Sequence, residues 1–192
     1  MKLGKFIATV CLVSFASGCS KTPEAPSANA ISNKNLRTFE ASGKMGFSNG
    51  QKGGNANLQW AQAGDNYRIN VYGPFGSGSM NIEGQNGRVL LTSAEGKVYH
   101  ASTPEELVRK ELGWEIPVNG LRYWLQGIAA PGTPPSHVAK DSNNRLARIV
   151  QHGWTVDYED YQEVQGKAVP YKMQLQNGDI RLKFIFNQWH LN

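Results

Sequence analysis

Cysteine is what this chain has least of. Its 192 residues include two, Cys11 and Cys19, both at the extreme N-terminal end. No pair remains to staple the rest, so stability must come from packing. Basic charge is thinly spread as well. Lys and Arg outnumber Asp and Glu by 20 to 15, in ones and twos without a run, which excludes the basic stripe that nucleic-acid binding needs. The four histidines, His100, His137, His152 and His190, are scattered, and none has a second ligand at metal spacing. Asp157, Glu159 and Asp160 lie close together, but Asp157 and Glu159 share a strand face and read as a solvated surface. His152 beside Gly153 reads as a turn residue. Gly76-Ser77-Gly78 lacks the strand–elbow–helix setting of a nucleophile, and no helix follows Gly73–Gly78 to make a phosphate cradle. No catalysis, metal or cofactor is therefore expected. The mostly apolar run from Phe6 to Phe15 is too short to cross a bilayer as a helix.

What that run does fit is an export signal. Lys2 and Lys5 form a basic start, and Ala16-Ser17-Gly18-Cys19 ends the run in small residues and a thiol. The ending resembles a bacterial lipobox, which implies cleavage before Cys19 and lipid attachment to it. The plainer alternative is an ordinary secretory signal that happens to contain a cysteine. Ser20 to Lys34 holds prolines, serines, alanines and asparagines with almost nothing large and apolar, the composition of a flexible tether. Enterobacterial lipoprotein sorting implies an outer-membrane destination when, as here, the residue after the cysteine is not Asp. The expected organisation is a signal at 1–18, a tether at 19–34 and one domain at 35–192. Removing the two signal lysines lowers the charge from +5 to +3.

Strand-like alternation dominates the domain. Phe39, Ala41, Gly43, Met45 and Phe47 alternate with polar residues, then Leu58 and Trp60, then Tyr67, Ile69 and Val71. Met80 with Ile82, Val89 with Leu91, and Val98 with its neighbour Tyr99 continue a meander punctuated by Gly-rich turns. Thr103-Pro104-Glu105-Glu106 is a strong helix start, with Gly113 as its stop. A second helix is expected from Asn119 to Gln126, turning Leu121, Trp124 and Leu125 inward. Ala129–Ser136 reads as a loop. Strands resume at Arg145–His152 and Trp154–Tyr161, and Tyr171–Leu175 pairs with Ile180–Phe186 across Asn177-Gly178. The expected fold is mainly β: an unclosed antiparallel barrel of about ten to eleven strands, covered by helices inserted mid-chain.

Two features stand out from that frame. Trp60, Trp114, Trp124, Trp154 and Trp189 fall mostly on inward faces, with Tyr67, Phe184 and Phe186. They are either plain core or the lining of an apolar cavity. The loop Tyr72–Gly78 places Phe75 between Pro74 and Gly76, whereas turns normally carry polar tips. Phe75 either tucks back into the barrel mouth or projects toward a membrane or a lipidated partner.

The residues also match a known pattern. Its elements are the early Gly43 strand, Leu58-Gln59-Trp60, Gly73-Pro74-Phe75-Gly76, Leu112–Val118, Leu121–Gly127, Gln151-His152-Gly153-Trp154, Val169-Pro170 and a terminal Trp189. In that order and spacing the chain resembles the LolB family over nearly all of the domain. The resemblance implies an outer-membrane acceptor, anchored at Cys19 on the periplasmic face, that receives acylated lipoproteins from a LolA-like periplasmic carrier and inserts them into outer-membrane lipid without ATP. It implies an apolar acyl-chain cavity, for which Leu58, Trp60, Tyr67, Ile69, Val71, Met80, Ile82, Trp124 and Leu125 are the expected lining. It also implies a protruding insertion loop, Gly73, Pro74, Phe75 and Gly76, with Phe75 at the apolar tip. A monomer is expected. The rival reading is an envelope assembly lipoprotein with a solid interior and no lipid cavity.

Overall fold

Alternating sequence becomes eleven strands among the described residues of the computed structural model, which are 35–74, 78–113 and 115–192. The expected signal and tether, Cys19, Phe75, Gly76 and Trp114 lie outside them. The first strands are β1 (Thr38–Ser48), β2 (Gly53–Ala63), β3 (Asn66–Tyr72), β4 (Met80–Gln85), β5 (Arg88–Thr92) and β6 (Val98–Ala101). Two helices follow, α1 (Pro104–Leu112) and α2 (Val118–Trp124). The remaining strands are β7 (His137–Lys140), β8 (Leu146–Gln151), β9 (Trp154–Val164), β10 (Lys167–Asn177) and β11 (Ile180–Leu191).

All eleven belong to one antiparallel sheet in the order β6-β5-β4-β3-β2-β1-β11-β10-β9-β8-β7. First and last strands therefore meet in the middle, and β6 and β7, adjacent in sequence, form the two free edges. The sheet does not close. Residues 102–136 must carry the chain from one edge to the other, and both helices lie in that crossing.

The helices begin and end as their sequences dictate. The backbone N–H of Glu106 donates to Thr103 Oγ1, Pro104 opens α1, and Gly113 closes it at φ +80°. Leu107 and Val108 are buried beneath it. The second helix is shorter than the expected Asn119–Gln126: it starts one residue sooner and gives way to a turn in which the Gly127 N–H donates to the Trp124 carbonyl. Gly127 at φ +71° permits that tight exit.

Three other details differ from the expected pattern. Strand β7 is not foreshadowed, because four residues with Val138 exposed carry no inward periodicity. In the β10–β11 hairpin Asn177 pairs with Ile180, so the turn is Gly178-Asp179, one residue on, with Gly178 supplying the positive φ. The third is a bulge where β11 meets β1: Ser42 pairs with Gln188 but Gly43 with Phe186. The extra residue switches parity, so Phe184 and Phe186 face inward and Trp189 and Leu191 do too.

Candidate functional site on the inner face of the sheet

Strand register lays the inward side chains in rows. One row is Gly84, Tyr67, Gln62, Phe39 and Leu191, running from β4 to β11; the next is Ile82, Ile69, Trp60, Ala41 and Trp189. Then come Met80, Val71, Leu58, Gly43 and Phe186, and after them Ala56, Met45 and Phe184, and Gly54, Phe47 and Leu182. The first two rows are closed, every member buried except Tyr67. Toward the other end Met80, Val71, Gly43, Ala56, Gly54 and Phe47 are only partly buried, while Phe186, Phe184 and Leu182 in the same rows are sealed. One stretch of partly exposed apolar surface thus lies at one end of β1–β4, while Tyr99, Ala101, Leu146, Tyr161, Val164 and Ile180 are partly exposed elsewhere around the core.

Gly73 and Pro74 leave β3 at that end, with Pro74 exposed, and Gly78 brings the chain back toward β4 at φ +63°. Phe75 and Gly76 of the expected insertion loop lie outside the described residues. The nine expected lining residues come together. Leu58, Trp60, Ile69, Ile82, Trp124 and Leu125 are buried in one apolar cluster, and Tyr67, Val71 and Met80 pack against it partly exposed.

Three buried glutamines hold this interior, and the sequence carries little sign of them beyond Gln62 continuing the inward parity of Leu58 and Trp60. Gln62 Oε1 accepts from Trp60 Nε1 at 2.9 Å, and its amide donates to the carbonyls of Gly64 and Asn66. Gln151 Oε1 accepts from Trp124 Nε1 and the Ala130 N–H, both at 2.9 Å, while its amide donates to the Ala130 and Thr133 carbonyls. Gln126 accepts from the Leu36 N–H and donates to the Arg122 carbonyl. Each amide turns polar backbone that would otherwise be stranded into a fixed contact. Tyr158 adds another, its buried hydroxyl donating to the Trp124 carbonyl at 3.0 Å, and burial pushes that phenol well above its usual pKa.

The closed end is the polar one. Glu105, in the first turn of α1, accepts from the Asn119 N–H at 2.7 Å and from its side-chain amide at 3.0 Å, tying α1 to the start of α2. The Arg122 guanidinium lies 4.7 Å from the Tyr123 ring centroid, donates to the Tyr123 hydroxyl and reaches Asp65 in the β2–β3 turn at 3.4 Å. Tyr67 sits close to both charged groups: burial pushes its pKa up to about 12, Glu105 pushes the same way and Arg122 partly offsets them.

The outer face is of a different kind. Asp157 pairs with Arg148, and Glu159 bridges Lys172 and Lys183, as a solvated face would. A cleft of about 320 Å³ there is lined by Glu40, Gln59, Arg68, Gln188 and His190 among others. His152 occupies the β8–β9 turn at φ +53°, followed by Gly153 at φ +77°. Among the described residues no three His, Cys, Asp or Glu side chains gather as metal ligands would, and no helix is long and apolar enough to cross a membrane.

Solved structures share this open antiparallel sheet. A LolA superfamily protein of Nitrosomonas europaea has this fold, with a TM-score of 0.55 at 9% identity over 86% of this chain and 92% of its own. A DUF1329 family protein of Desulfovibrio piger is similar, with a TM-score of 0.51 at 6% identity over 85% and 89% of the two chains. Sequence comparison is more specific. The family model described as outer membrane lipoprotein LolB matches residues 37–189. An outer-membrane lipoprotein LolB of Marinomonas sp. (strain MWYL1) is 33% identical, covering 94% of this chain and 96% of that relative. One of Francisella tularensis subsp. tularensis (strain SCHU S4) is 31% identical, with 96% and 93% covered. The chain belongs to the LolB family.

Proposed function

We infer that this protein is the outer-membrane receptor of lipoprotein localisation, taking acylated lipoproteins from a LolA-like periplasmic carrier and passing them to outer-membrane lipid. The family supplies the role, and the inner face supplies the physical support: Phe47, Ala56, Val71 and Met80 leave apolar surface partly exposed at the end of the face beside Gly73-Pro74. Acyl chains bound along Val71, Met80, Leu58 and Phe47 lie beside the loop that Phe75 tips. Of the other expected lining residues, Trp60, Ile69, Ile82, Trp124 and Leu125 form the floor and cover of that site.

Magnitudes explain why a receptor of this kind is needed. Burying one methylene is worth ~0.8 kcal/mol, so exposing a chain of about 15 to water costs roughly 12 kcal/mol. A diacyl or triacyl cargo therefore passes from one apolar surface to another without becoming free, and a downhill order of affinities suffices to drive it. In this reading residues 1–18 are removed, Cys19 carries the protein's own lipid, 19–34 is the tether, and the domain acts as a monomer.

The test is Phe75→Glu. The variant should fold and accept cargo from the carrier normally, but cargo should stay on it, with delivery to phospholipid vesicles falling at least tenfold. Normal delivery would remove Phe75 from the mechanism.

A further inference from the structure

Among the described residues three buried side-chain polar atoms make no hydrogen bond: Asn81 Oδ1, Trp189 Nε1 and Tyr67 OH. Asn81 lies on the outer side of β4, where its amide donates to Glu83. The Trp189 indole is hemmed by the Phe39 and Phe186 rings, each with its centroid 5.5 Å away. Tyr67 stands apart. It is on the inner face, and it is the one partly exposed residue of the closed rows.

The ring is held in place rather than left to drift. It lies on the β4 backbone at Gly84, where a Cβ would come 2.2 Å from Cε1 and 2.8 Å from the hydroxyl oxygen, so only glycine leaves the space. Trp60 supports it, ring centroid to ring centroid 6.4 Å. Gln62, the neighbouring polar group across β2, already spends its carbonyl on Trp60 and its amide on two backbone carbonyls. Phenylalanine would pack as well without a desolvated, unanswered hydroxyl. A fixed donor in an apolar wall is instead how apolar sites orient a ligand.

We propose that the Tyr67 hydroxyl donates a hydrogen bond to an acyl carbonyl oxygen at the head of the cargo's lipid. The ester head then sits at the closed, polar end, near Glu105 and Arg122, and the chains run along β1–β4 toward the partly exposed rows. From Tyr67 to Val71 is four residues of strand, about 13 Å. Chain ends thus point toward Gly73-Pro74 and the head points away, the same polarity the lipid has once it lies in a leaflet with its protein in the periplasm. The proposal rests on the receptor reading and adds how the ligand lies.

The experiment compares two probes on the full chain bearing Cys19→Ala, which lacks the lipid-attachment thiol. One probe is a peptide with an N-terminal S-(2,3-diacyloxypropyl)cysteine, and the other is its dialkyl ether analogue, without ester carbonyls. The Cys19→Ala protein should bind the ester probe about five- to tenfold more tightly, the worth of one neutral hydrogen bond. Adding Tyr67→Phe should bring the ester probe to the ether level, leave the ether probe unchanged, and leave the thermal midpoint the same or higher. A preference that survives Tyr67→Phe overturns the proposal, as does a parent protein that binds both probes equally. A parent that binds neither probe overturns the receptor reading itself.

Discussion

The two halves of the sheet share a fold and differ in how they are sealed. In the middle of β8–β11 the inward residues Ile149, Val156, Met173, Leu175, Leu182 and Phe184 are at most 1% exposed, and only Leu146, Tyr161, Val164 and Ile180, toward the strand ends, are partly open. The helical crossing is pinned to this half by Gln151 and by Tyr158, whose partners are the Trp124 indole, the Trp124 carbonyl and the Ala130 backbone. On β1–β4 the corresponding apolar rows are partly open, and α1 meets β6 through a cation–π pair, with Lys110 Nζ 5.0 Å from the Tyr99 ring centroid. Directional buried hydrogen bonds fix one geometry, and on the β1–β4 half they lie at the closed end, at Gln62 and Gln126, whereas the nondirectional apolar contacts of the open rows allow a face to part and close again. One half reads as the frame, and the other is the surface to which the proposed function assigns the acyl chains.

The comparison breaks most completely at the seam between the halves. Gly43 sits where β1 meets β11 at the bulge, and a Cβ there would lie 2.0 Å from the Ile185 carbonyl oxygen. Gly43→Val should abolish cooperative unfolding, read by thermal melting, with a loss of more than about 4 kcal/mol. Gly46→Ala, three residues along, comes closest to the Asn55 side chain at 3.2 Å, with the next neighbours at 4.0 Å, and should fold. Second in size is Gln151→Leu, which strands the Trp124 and Ala130 N–H groups and two carbonyls. A loss of roughly 3 kcal/mol is expected by chemical denaturation, with binding of acylated peptide weakened only as far as folding is. The smallest effect sharpens the contrast. Leu175→Ala, in the sealed half, should cost about 3 kcal/mol of stability and little affinity, while Met80→Ala should cost about 1 kcal/mol or less and weaken acyl binding severalfold. Equal losses of stability from the two truncations would erase the distinction.

Most of the frame was legible in the sequence because period-2 alternation and turn chemistry are local. Phe39 to Phe47, Tyr67 to Val71 and Ile180 to Phe186 announced their faces, and Thr103-Pro104 and Gly113 announced α1. The inward placement of Trp189 is harder to read, since it depends on a bulge that forms only when β11 meets β1. Strand β7 escapes notice because an exposed edge has no periodicity to show. At the site, the nine expected lining residues gather, but two properties arise only from register: the exposure gradient along β1–β4, and the unanswered hydroxyl of Tyr67 opposite Gly84. Gln151 and Gln126 look like ordinary surface residues until the backbone they hold is seen.

The central place of the β1–β11 pairing has a consequence in time. Phe39 joins Leu191 and Ser48 joins Arg181, so the seam requires the two ends of the domain. A chain emerging from its N-terminus can lay down the β1–β6 meander early, but β1 keeps a bare edge until the last strand arrives. Such late, long-range pairing is slow and leaves an apolar edge open to mispairing. Before it can serve as a receptor at the outer membrane, this protein passes through an interval in which its own apolar edge lies bare.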